Sequence, residues 1–248
     1  MGTKDEPPST PELLSFAIQK QPDAAACGPT CLHAIYRYWG DDIPLDRLLA
    51  EVRIVKGGGT LGVLLALDAL ARGYRTTIVT WNLLVFDPSW FTPPGGHLKE
   101  RLVARAEARE EPKLRFATRA YVEYLDRGGR VEYRDLEPAL LRHYLRRGVP
   151  ILTGLSATFL YRESRERAAD GEPDDIAGDS VGHFAVLVGH SSQTRKILVA
   201  DPLHPNPLSE SHIYPVNVER VIGAIYLGVL TYDANLVIIE PRHPRVRP

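Results

Sequence analysis

The sequence is poor in the residues that build disulfide-stabilised domains. It contains 2 cysteines and 1 methionine among 248 residues. Two cysteines cannot form the disulfide framework of a small secreted domain. Cys27 and Cys31 would stand one turn apart on a predicted helix, which is a poor geometry for a bond between them. We therefore expect two free thiols.

The sequence also lacks an excess of charge of one sign and a long apolar run. It has 30 Lys plus Arg and 31 Asp plus Glu, a formal net charge of −1. This balance predicts no broad attraction to nucleic acid or to an anionic membrane. The longest apolar candidate, LGVLLALDAL, is interrupted by Asp68 and falls short of the roughly 20 residues that cross a bilayer. Because the N-terminus has no signal-peptide pattern, we predict a cytoplasmic protein without a membrane-spanning segment.

Motifs for metals and cofactors are weak or missing. There is no second cysteine pair and no HExxH helix, so we expect no metal site. The stretch GGGTLG (57–62) matches G-x-G-x-x-G, but it follows a short helix and not the strand of a dinucleotide-binding unit. We interpret it as a flexible entry to the next helix, and we expect no cofactor.

The remaining composition is that of a globular protein, with 44% hydrophobic and 25% charged residues. Residues 1–12 are rich in Pro, Ser and acidic residues and predict a flexible arm, while 13–248 predict a single domain. Apolar residues recur at helical spacing from Cys27 to Trp39, and Gly40 supplies the stop. Further helices are predicted at 44–52, 60–73, 97–127 and 136–147, with a strand at 74–81.

The second half has the pattern of strands. Apolar runs predict strands at 148–156, 182–190, 195–201, 224–232 and 234–240, with a short helix at 217–223. Helices followed by strands predict an α+β fold. It would consist of a mainly helical lobe at 13–147, with an extra helical stretch at about 86–130, and a mainly antiparallel β lobe at 148–248. The charged stretch 161–180 is either a solvated loop or a mobile flap beside a cleft.

Cys27 stands where a helix start could activate it. A thiol at a helix N-terminus feels the positive end of the helix dipole and unpaired N–H groups, which favour the thiolate. Pro29 suits the first helical turn, and Gly28 permits a close approach of another chain segment. The alternative is a buried helix-start residue without chemistry. Cys31 lies one turn deeper and is expected to pack.

His183 is the strongest candidate for the base that such a nucleophile needs. It begins an apolar strand, and Asp201 ends the strand that would pair with it in a hairpin. Gln21, just upstream of Cys27, could donate to an oxyanion together with the Cys27 N–H. Taken singly, these residues could be a core histidine, a turn aspartate and a surface glutamine. The other histidines weighed lie in helices, loops or the tail: His33, His97, His143, His204, His212 and His243.

These residues resemble the papain-like cysteine peptidases that trim double-glycine leader peptides in bacteriocin exporters. The resemblance rests on Gln21, on Cys27-Gly28 opening a helix that ends in Tyr38-Trp39-Gly40, and on two further matches. Those matches are Gly182-His183-Phe184 and Asp201-Pro202. The resembled peptidases are shorter domains joined to membrane-spanning and ATP-binding segments, so their substrate and export role are not carried over.

The resemblance implies a papain-like α+β fold and four roles. Cys27 would be the nucleophile, His183 the general base and acid, Asp201 the residue that orients His183, and Gln21 part of the oxyanion hole. The resulting hypothesis is a cysteine hydrolase acting on a peptide or amide bond. Two alternatives stay open: acyl transfer to an amine by the same residues, and a binding module that holds a peptide in an inactive cleft. The expected partner is a peptide or protein substrate.

The two thiols are expected to differ in reactivity. At neutral pH, iodoacetamide should label Cys27 much faster than Cys31, because only Cys27 lies at the helix start. Peptide mapping by mass spectrometry after timed labelling measures both rates. Equal and slow labelling of both cysteines would contradict the hypothesis of an enzyme.

Overall fold

A computed structural model describes residues 12–55, 58–93, 96–191 and 193–242. The helices of these ranges are α1 (Cys27–Tyr38), α2 (Leu45–Glu51), α3 (Gly62–Ala71), α4 (Leu98–Ala108), α5 (Pro112–Asp126), α6 (Pro138–Arg146), α7 (Ala157–Tyr161) and α8 (Val218–Leu227). The strands are β1 (Glu12–Leu13), β2 (Tyr74–Thr80), β3 (Arg130–Glu132), β4 (Ile151–Ser156), β5 (Gly182–Ser191), β6 (Lys196–Ala200), β7 (Ile213–Asn217) and β8 (Asn235–Pro241). Short 3₁₀ turns cover Pro88–Phe91 and Gly228–Thr231.

The strands form one sheet with the order β3-β2-β8-β4-β5-β6-β7, and β1 pairs with β5 outside this path. Neighbouring strands are antiparallel except for β2 and β3, which are parallel. The hairpin expected between the strands at 182–190 and 195–201 is β5–β6, with Val186 opposite Ala200. The α+β class with an antiparallel sheet is therefore confirmed.

The sheet carries a hydrophobic core on each face, because alternate side chains of a strand point to opposite sides. In β5, Phe184 and Val186 belong to the core that contains residues of α1, α3 and α5. Ala185 and Leu187 belong to the second core, which contains residues of α6, α7 and α8. The buried strands β4 and β5 thus hold the two helical layers together.

The extra helical stretch at about 86–130 is part of the first core. It contains α4 and α5, whose Leu102 and Leu114 are buried there. Phe86 meets the ring of Tyr121 edge-on, with 4.7 Å between the ring centroids. The stretch is therefore packed into the molecule and is not a surface appendage.

The predicted division into lobes stays a prediction. The strand β2, which comes from the mainly helical first half, pairs with β8 from the second half. Both halves consequently contribute to one sheet. Of the predicted arm, residues 1–11 lie outside the described residues, and Glu12 begins β1.

Several local predictions were wrong or incomplete: the helix expected at 97–127 is divided into α4 and α5, and α7 was not expected. Residues 224–232 were expected to be a strand, but they complete α8 and the following 3₁₀ turn. Val221, Ala224 and Ile225 are buried at helical spacing in the second core, so burial selects the helix. The strand β7 was missed because Pro215 lies within it. β7 ends the sheet order, and an edge strand tolerates proline.

The ends of several central strands lie side by side at one end of the sheet. His183 at the start of β5 pairs with Leu155 near the end of β4, and Gly154 pairs with Asn235 at the start of β8. Thr80 at the end of β2 pairs with the same Asn235. Candidate chemistry from distant parts of the chain is thereby brought to one place. None of the helices in the described ranges is long and apolar enough to cross a membrane.

Gly154 is expected to be sensitive to a single added methyl group. A Cβ at this position would overlap the Asp233 side chain and lie 2.7 Å from the Asp233 carbonyl oxygen. Because backbone must move, Gly154→Ala should destabilise the fold by about 1–3 kcal/mol in urea unfolding.

Gly223→Ala in α8 is the matched control. Its Cβ would lie 2.8 Å from Phe159 Cε1, but that ring is 43% exposed and can move. Helix propensity favours alanine at this position by about 1 kcal/mol. Equal destabilisation by the two substitutions would contradict the predicted crowding at Gly154.

Candidate active site

Cys27 is the first residue of α1 and lies near His183, at the end of the sheet where β5 begins. Its side chain is 8% exposed, whereas Cys31 is fully buried. The first N–H groups of a helix have no partner within the helix, so the Cys27 and Gly28 N–H groups mark the α1 start. Pro29 follows in the first turn, as its fixed φ allows. The positive end of the α1 helix dipole lies at this residue.

Gly28 lets Thr60 pack directly against the start of α1. A Cβ on Gly28 would lie 2.5 Å from Thr60 Cγ2 and 3.2 Å from the Phe184 ring. Thr60 belongs to the stretch 57–62, of which Gly57 lies outside the described residues. This part of the chain supports the α1 start, and it leads into α3 as expected.

Cys31 packs in the core. Its thiol donates a hydrogen bond to the Phe184 carbonyl of β5 at 3.3 Å. Burial raises the pKa of Cys31 well above its usual range, and the nearby charges of Cys27 and Asp201 raise it further. Cys31 therefore remains a thiol and ties α1 to β5.

His183 interacts with both Cys27 and Asp201. Its Nε2 lies 2.8 Å from Asp201 Oδ1. Burial lowers the pKa of His183. The charge of Asp201, its hydrogen bond, and a hydrogen bond and charge interaction with Cys27 outweigh burial and raise this pKa above its ordinary value. Since Asp201 occupies Nε2, the ring nitrogen left for Cys27 is Nδ1.

Asp201 is a fully buried carboxylate, one residue beyond β6. Oδ1 accepts from His183 Nε2 and from the Leu203 N–H at 2.9 Å. Oδ2 accepts from the hydroxyl groups of Tyr161 at 2.7 Å and Tyr214 at 2.5 Å. Burial favours the neutral acid, but the charge of His183 and these hydrogen bonds hold the pKa of Asp201 below its ordinary value.

Tyr161 and Tyr214 were not anticipated from the sequence. Tyr161 is the last residue of α7, and Tyr214 lies in β7 opposite Val199 of β6. Neither element was among those expected, so no pattern placed these hydroxyl groups near Asp201. The short stretch Ile213–Asn217, with its β-branched residues and a tyrosine, is the one signal that could have indicated a strand carrying Tyr214.

Gln21 lies beside the strand end that carries Asp201. Its backbone N–H donates to the Pro202 carbonyl at 2.9 Å, and its side-chain amide donates to the Asp23 carbonyl at 2.8 Å. The Asp23 side chain accepts from the Ala25 N–H, and the Asp23 carbonyl from the Ala26 N–H. Asp23 thus organises the turn between Gln21 and Cys27. An amide nitrogen has two hydrogens, so one remains for another acceptor.

The remaining histidines lie elsewhere in the fold. His33 is within α1, His97 precedes α4, and His143 is exposed on α6. The rings of His204 and His212 pack together with 4.3 Å between centroids, and His212 Nδ1 donates to the Asp201 carbonyl. His243 lies outside the described residues. Within the described ranges, no group of three or more His, Cys, Asp or Glu side chains is arranged to hold a metal ion.

A cavity of about 530 Å³ lies at the opposite end of β5 from His183. It is lined by residues such as Arg142, His190 and Lys196. His190 is seven residues along the strand, which corresponds to more than 20 Å. This cavity is therefore remote from His183 and is not part of the candidate site.

The charged stretch 161–180 is a loop that is held by its own contacts. Glu166 forms isolated bridges with Pro173 and Asp179, and Arg167 pairs with Asp170. At its end the Ser180 hydroxyl lies 3.0 Å from the Ser156 hydroxyl of β4. The loop therefore leads directly into the start of β5 and His183.

Comparisons with known proteins identify the fold. No protein-family model and no curated protein matches the chain. A solved structure described as a C39-like peptidase from Bacillus anthracis matches with a TM-score of 0.51 and 12% identity. The match covers 95% of this chain and 100% of that one.

The chain has the papain-like fold of a C39-like peptidase. Two further solved structures match less well. Xylellain, a cysteine protease from Xylella fastidiosa, matches with a TM-score of 0.45 and 14% identity over 96% of this chain and 87% of that one. A double-glycine motif protease in complex with a leader peptide matches with a TM-score of 0.43 and 11% identity over 92% and 94%. The C39-like fold agrees with the papain-like fold that the sequence resemblance implies.

The charge on His183 makes a pH-dependent contribution to stability in this C39-like fold. The pKa of His183 is raised in the folded state. The charged ring therefore stabilises the fold fully below the unfolded-state pKa of about 6.5, and this stabilisation is lost as the pH rises through the folded-state pKa. His183→Asn should therefore cost more stability at about pH 6 than at about pH 9. The expected difference exceeds about 1.4 kcal/mol, the free energy of one pKa unit.

Urea unfolding of both proteins at the two pH values measures this difference. His143→Asn, on the exposed side of α6, is the control. A cost of His183→Asn that is the same at both pH values would contradict a raised His183 pKa.

Proposed function

We propose that this protein is a cysteine peptidase that cleaves peptide or amide bonds through an acyl-enzyme. The observation that carries the proposal is the buried His183–Asp201 pair, whose imidazole also interacts electrostatically with Cys27 at the start of α1. The His183–Asp201 distance is 2.8 Å, and the Asp201 carboxylate is shielded from water. A buried carboxylate that holds a charged imidazole next to a thiol at a helix start is the arrangement that activates a cysteine.

The resting state in this mechanism is a thiolate–imidazolium pair. The raised pKa of His183 keeps its ring protonated at neutral pH, and the positive charge with the α1 N-terminus stabilises the Cys27 thiolate. The Cys27 sulfur attacks the acyl carbon of the substrate, and the carbonyl electron pair moves to the oxygen. The Cys27 N–H and the free N–H of the Gln21 amide donate to that oxyanion.

The intermediate then collapses. The C–N bond breaks, and His183 gives its Nδ1 proton to the departing amine. The product is a thioester on Cys27 and a neutral imidazole. A water molecule next attacks the thioester while His183 takes its proton, and the C–S bond breaks to release the acid and restore the thiolate–imidazolium pair. Every proton and electron pair is accounted for by these side chains, so the mechanism requires no cofactor.

A peptide is the substrate class that agrees with the fold, because the Bacillus anthracis protein of the same fold is described as a peptidase. The expected free thiols are confirmed, since Cys27 and Cys31 are both unbridged. The cytoplasmic location stays a prediction from the sequence. Trapping a substrate on Cys27 as the thioester, followed by mass spectrometry, would identify the peptide directly.

Replacing the two cysteines separately tests the proposal. Cys27→Ala should abolish turnover and leave the fold intact, because the side chain is at the edge of the core and its loss removes the nucleophile. Cys31→Ala should keep turnover and destabilise the protein by about 1 kcal/mol or somewhat more, as a core truncation. Turnover is measured on a peptide library by mass spectrometry, and stability by urea unfolding.

The outcomes separate the proposal from its alternatives. Retained cleavage in Cys27→Ala would overturn the mechanism. Binding of peptides without cleavage by both the wild-type protein and Cys27→Ala would identify a peptide-binding protein. Products joined to an added amine would identify acyl transfer by the same residues.

A further inference from the structure

Two tyrosine hydroxyl groups occupy the Asp201 oxygen that His183 does not use. Tyr161 and Tyr214 both donate to Oδ2, at 2.7 and 2.5 Å, and both residues are buried. Oδ1 is taken by His183 Nε2 and the Leu203 N–H. A carboxylate has about four acceptor positions, so Asp201 is saturated by four donors.

The donors reach Asp201 from separate elements. Tyr161 ends α7, Tyr214 belongs to β7, and His183 begins β5. The Asp201 N–H continues the sheet ladder by donating to the His212 carbonyl at 2.8 Å. A rotation of the carboxylate about its Cβ–Cγ bond would disturb all four hydrogen bonds at once. The orientation of Oδ1 toward His183 is therefore held by groups on two sides.

The two hydroxyl groups can act only as donors to this oxygen. Burial raises the pKa of Tyr161 and of Tyr214, and the charge of Asp201 raises both further. Both side chains thus remain protonated. Hydrogen bonds to a charged group are stronger than those between neutral groups, and they spread the charge over the donors. The Tyr161 ring also lies 6.0 Å from the His183 ring between centroids, tilted by 54°.

We propose that Tyr161 and Tyr214 are positioning residues of the catalytic site, which hold Asp201 Oδ2 so that Oδ1 stays directed at His183 and which share the negative charge of Asp201. The proposal rests on the peptidase function proposed above. His183 has to keep its proton in the resting state and release it to the departing amine. A carboxylate without these two donors would carry a more concentrated charge and would hold that proton more firmly.

The titratable side chains around His183 and Asp201 come from three elements, α1, α7 and β7. Cys27 faces His183 from α1, and Cys31 interacts with Asp201 from the same helix. Tyr161 faces the pair from α7, and Tyr214 from β7. A change at a tyrosine hydroxyl is consequently transmitted through Asp201 to His183, and from there to the Cys27 thiolate.

The experiment uses Tyr161→Phe and Tyr214→Phe in the full-length chain. Each variant keeps the ring and removes one donor. We expect kcat for peptide cleavage to fall about tenfold with little change in KM, because a proton-transfer group is affected and substrate contacts are not. The alkaline limb of the kcat/KM profile should move to higher pH, since the more concentrated charge of Asp201 retains the His183 proton longer.

A second measurement does not depend on peptidase activity. Iodoacetate is an anion, so its reaction with the Cys27 thiolate is favoured while His183 is positively charged and slows when His183 loses its proton. The pH at which alkylation slows should be higher in both tyrosine variants than in the wild-type protein. If no peptide is cleaved by the wild-type chain, the proposed function fails, and alkylation still tests the role of the tyrosines.

Tyr36→Phe is the matched control. Tyr36 is a fully buried tyrosine that donates to the Asp68 carboxylate at 2.7 Å, between α1 and α3. This variant loses the same kind of hydrogen bond and should lower stability without moving either pH profile. The proposal is overturned if the pH profiles of kcat/KM and of alkylation in Tyr161→Phe and Tyr214→Phe are the same as those in Tyr36→Phe.

Discussion

The candidate site depends on the cost of burying one negative charge. Asp201 is shielded from water, and an ionised carboxylate in such a place is stable only if its oxygens are hydrogen-bonded and a positive charge is near. The fold meets this requirement with His183, the Leu203 N–H and two tyrosine hydroxyl groups. The same contacts that make the burial possible also fix the imidazole beside Cys27. Stability and chemistry are therefore linked at this carboxylate.

The architecture explains why Cys27, His183 and Asp201 converge at one end of the sheet. The helix α1 packs on one face of β5, where Cys31 bonds to the Phe184 carbonyl. The layer that contains α7 packs on the other face and supplies Tyr161 to Asp201. At the start of β5, groups from both layers interact with one ring. His183 occupies that position, with a thiol toward one layer and a carboxylate toward the other.

Much of the fold follows from local patterns in the sequence. The helical spacing after Cys27 and the apolar runs before His190 and Asp201 have unambiguous periods, so α1, β5 and β6 were predicted almost to the residue. The run at 224–232 is apolar in a way that suits either a strand or a helix. Burial in the second core decides for the helix. The strand β7 contains Pro215, which local rules disfavour in a strand, and only its place at the sheet edge allows it.

By itself, the sequence determined the four candidate residues Gln21, Cys27, His183 and Asp201, because nucleophile, base and acceptor are marked by residue type and by position at the ends of predicted elements. Only the tertiary structure decided which groups complete the surroundings of Asp201. Tyr161 and Tyr214 lie 40 and 13 residues from Asp201, on elements without a clear pattern. Their contact with Asp201 arises from the packing of α7 and β7 around the end of β6. A local pattern cannot encode such a contact, because the contact exists only when the separate elements have assembled.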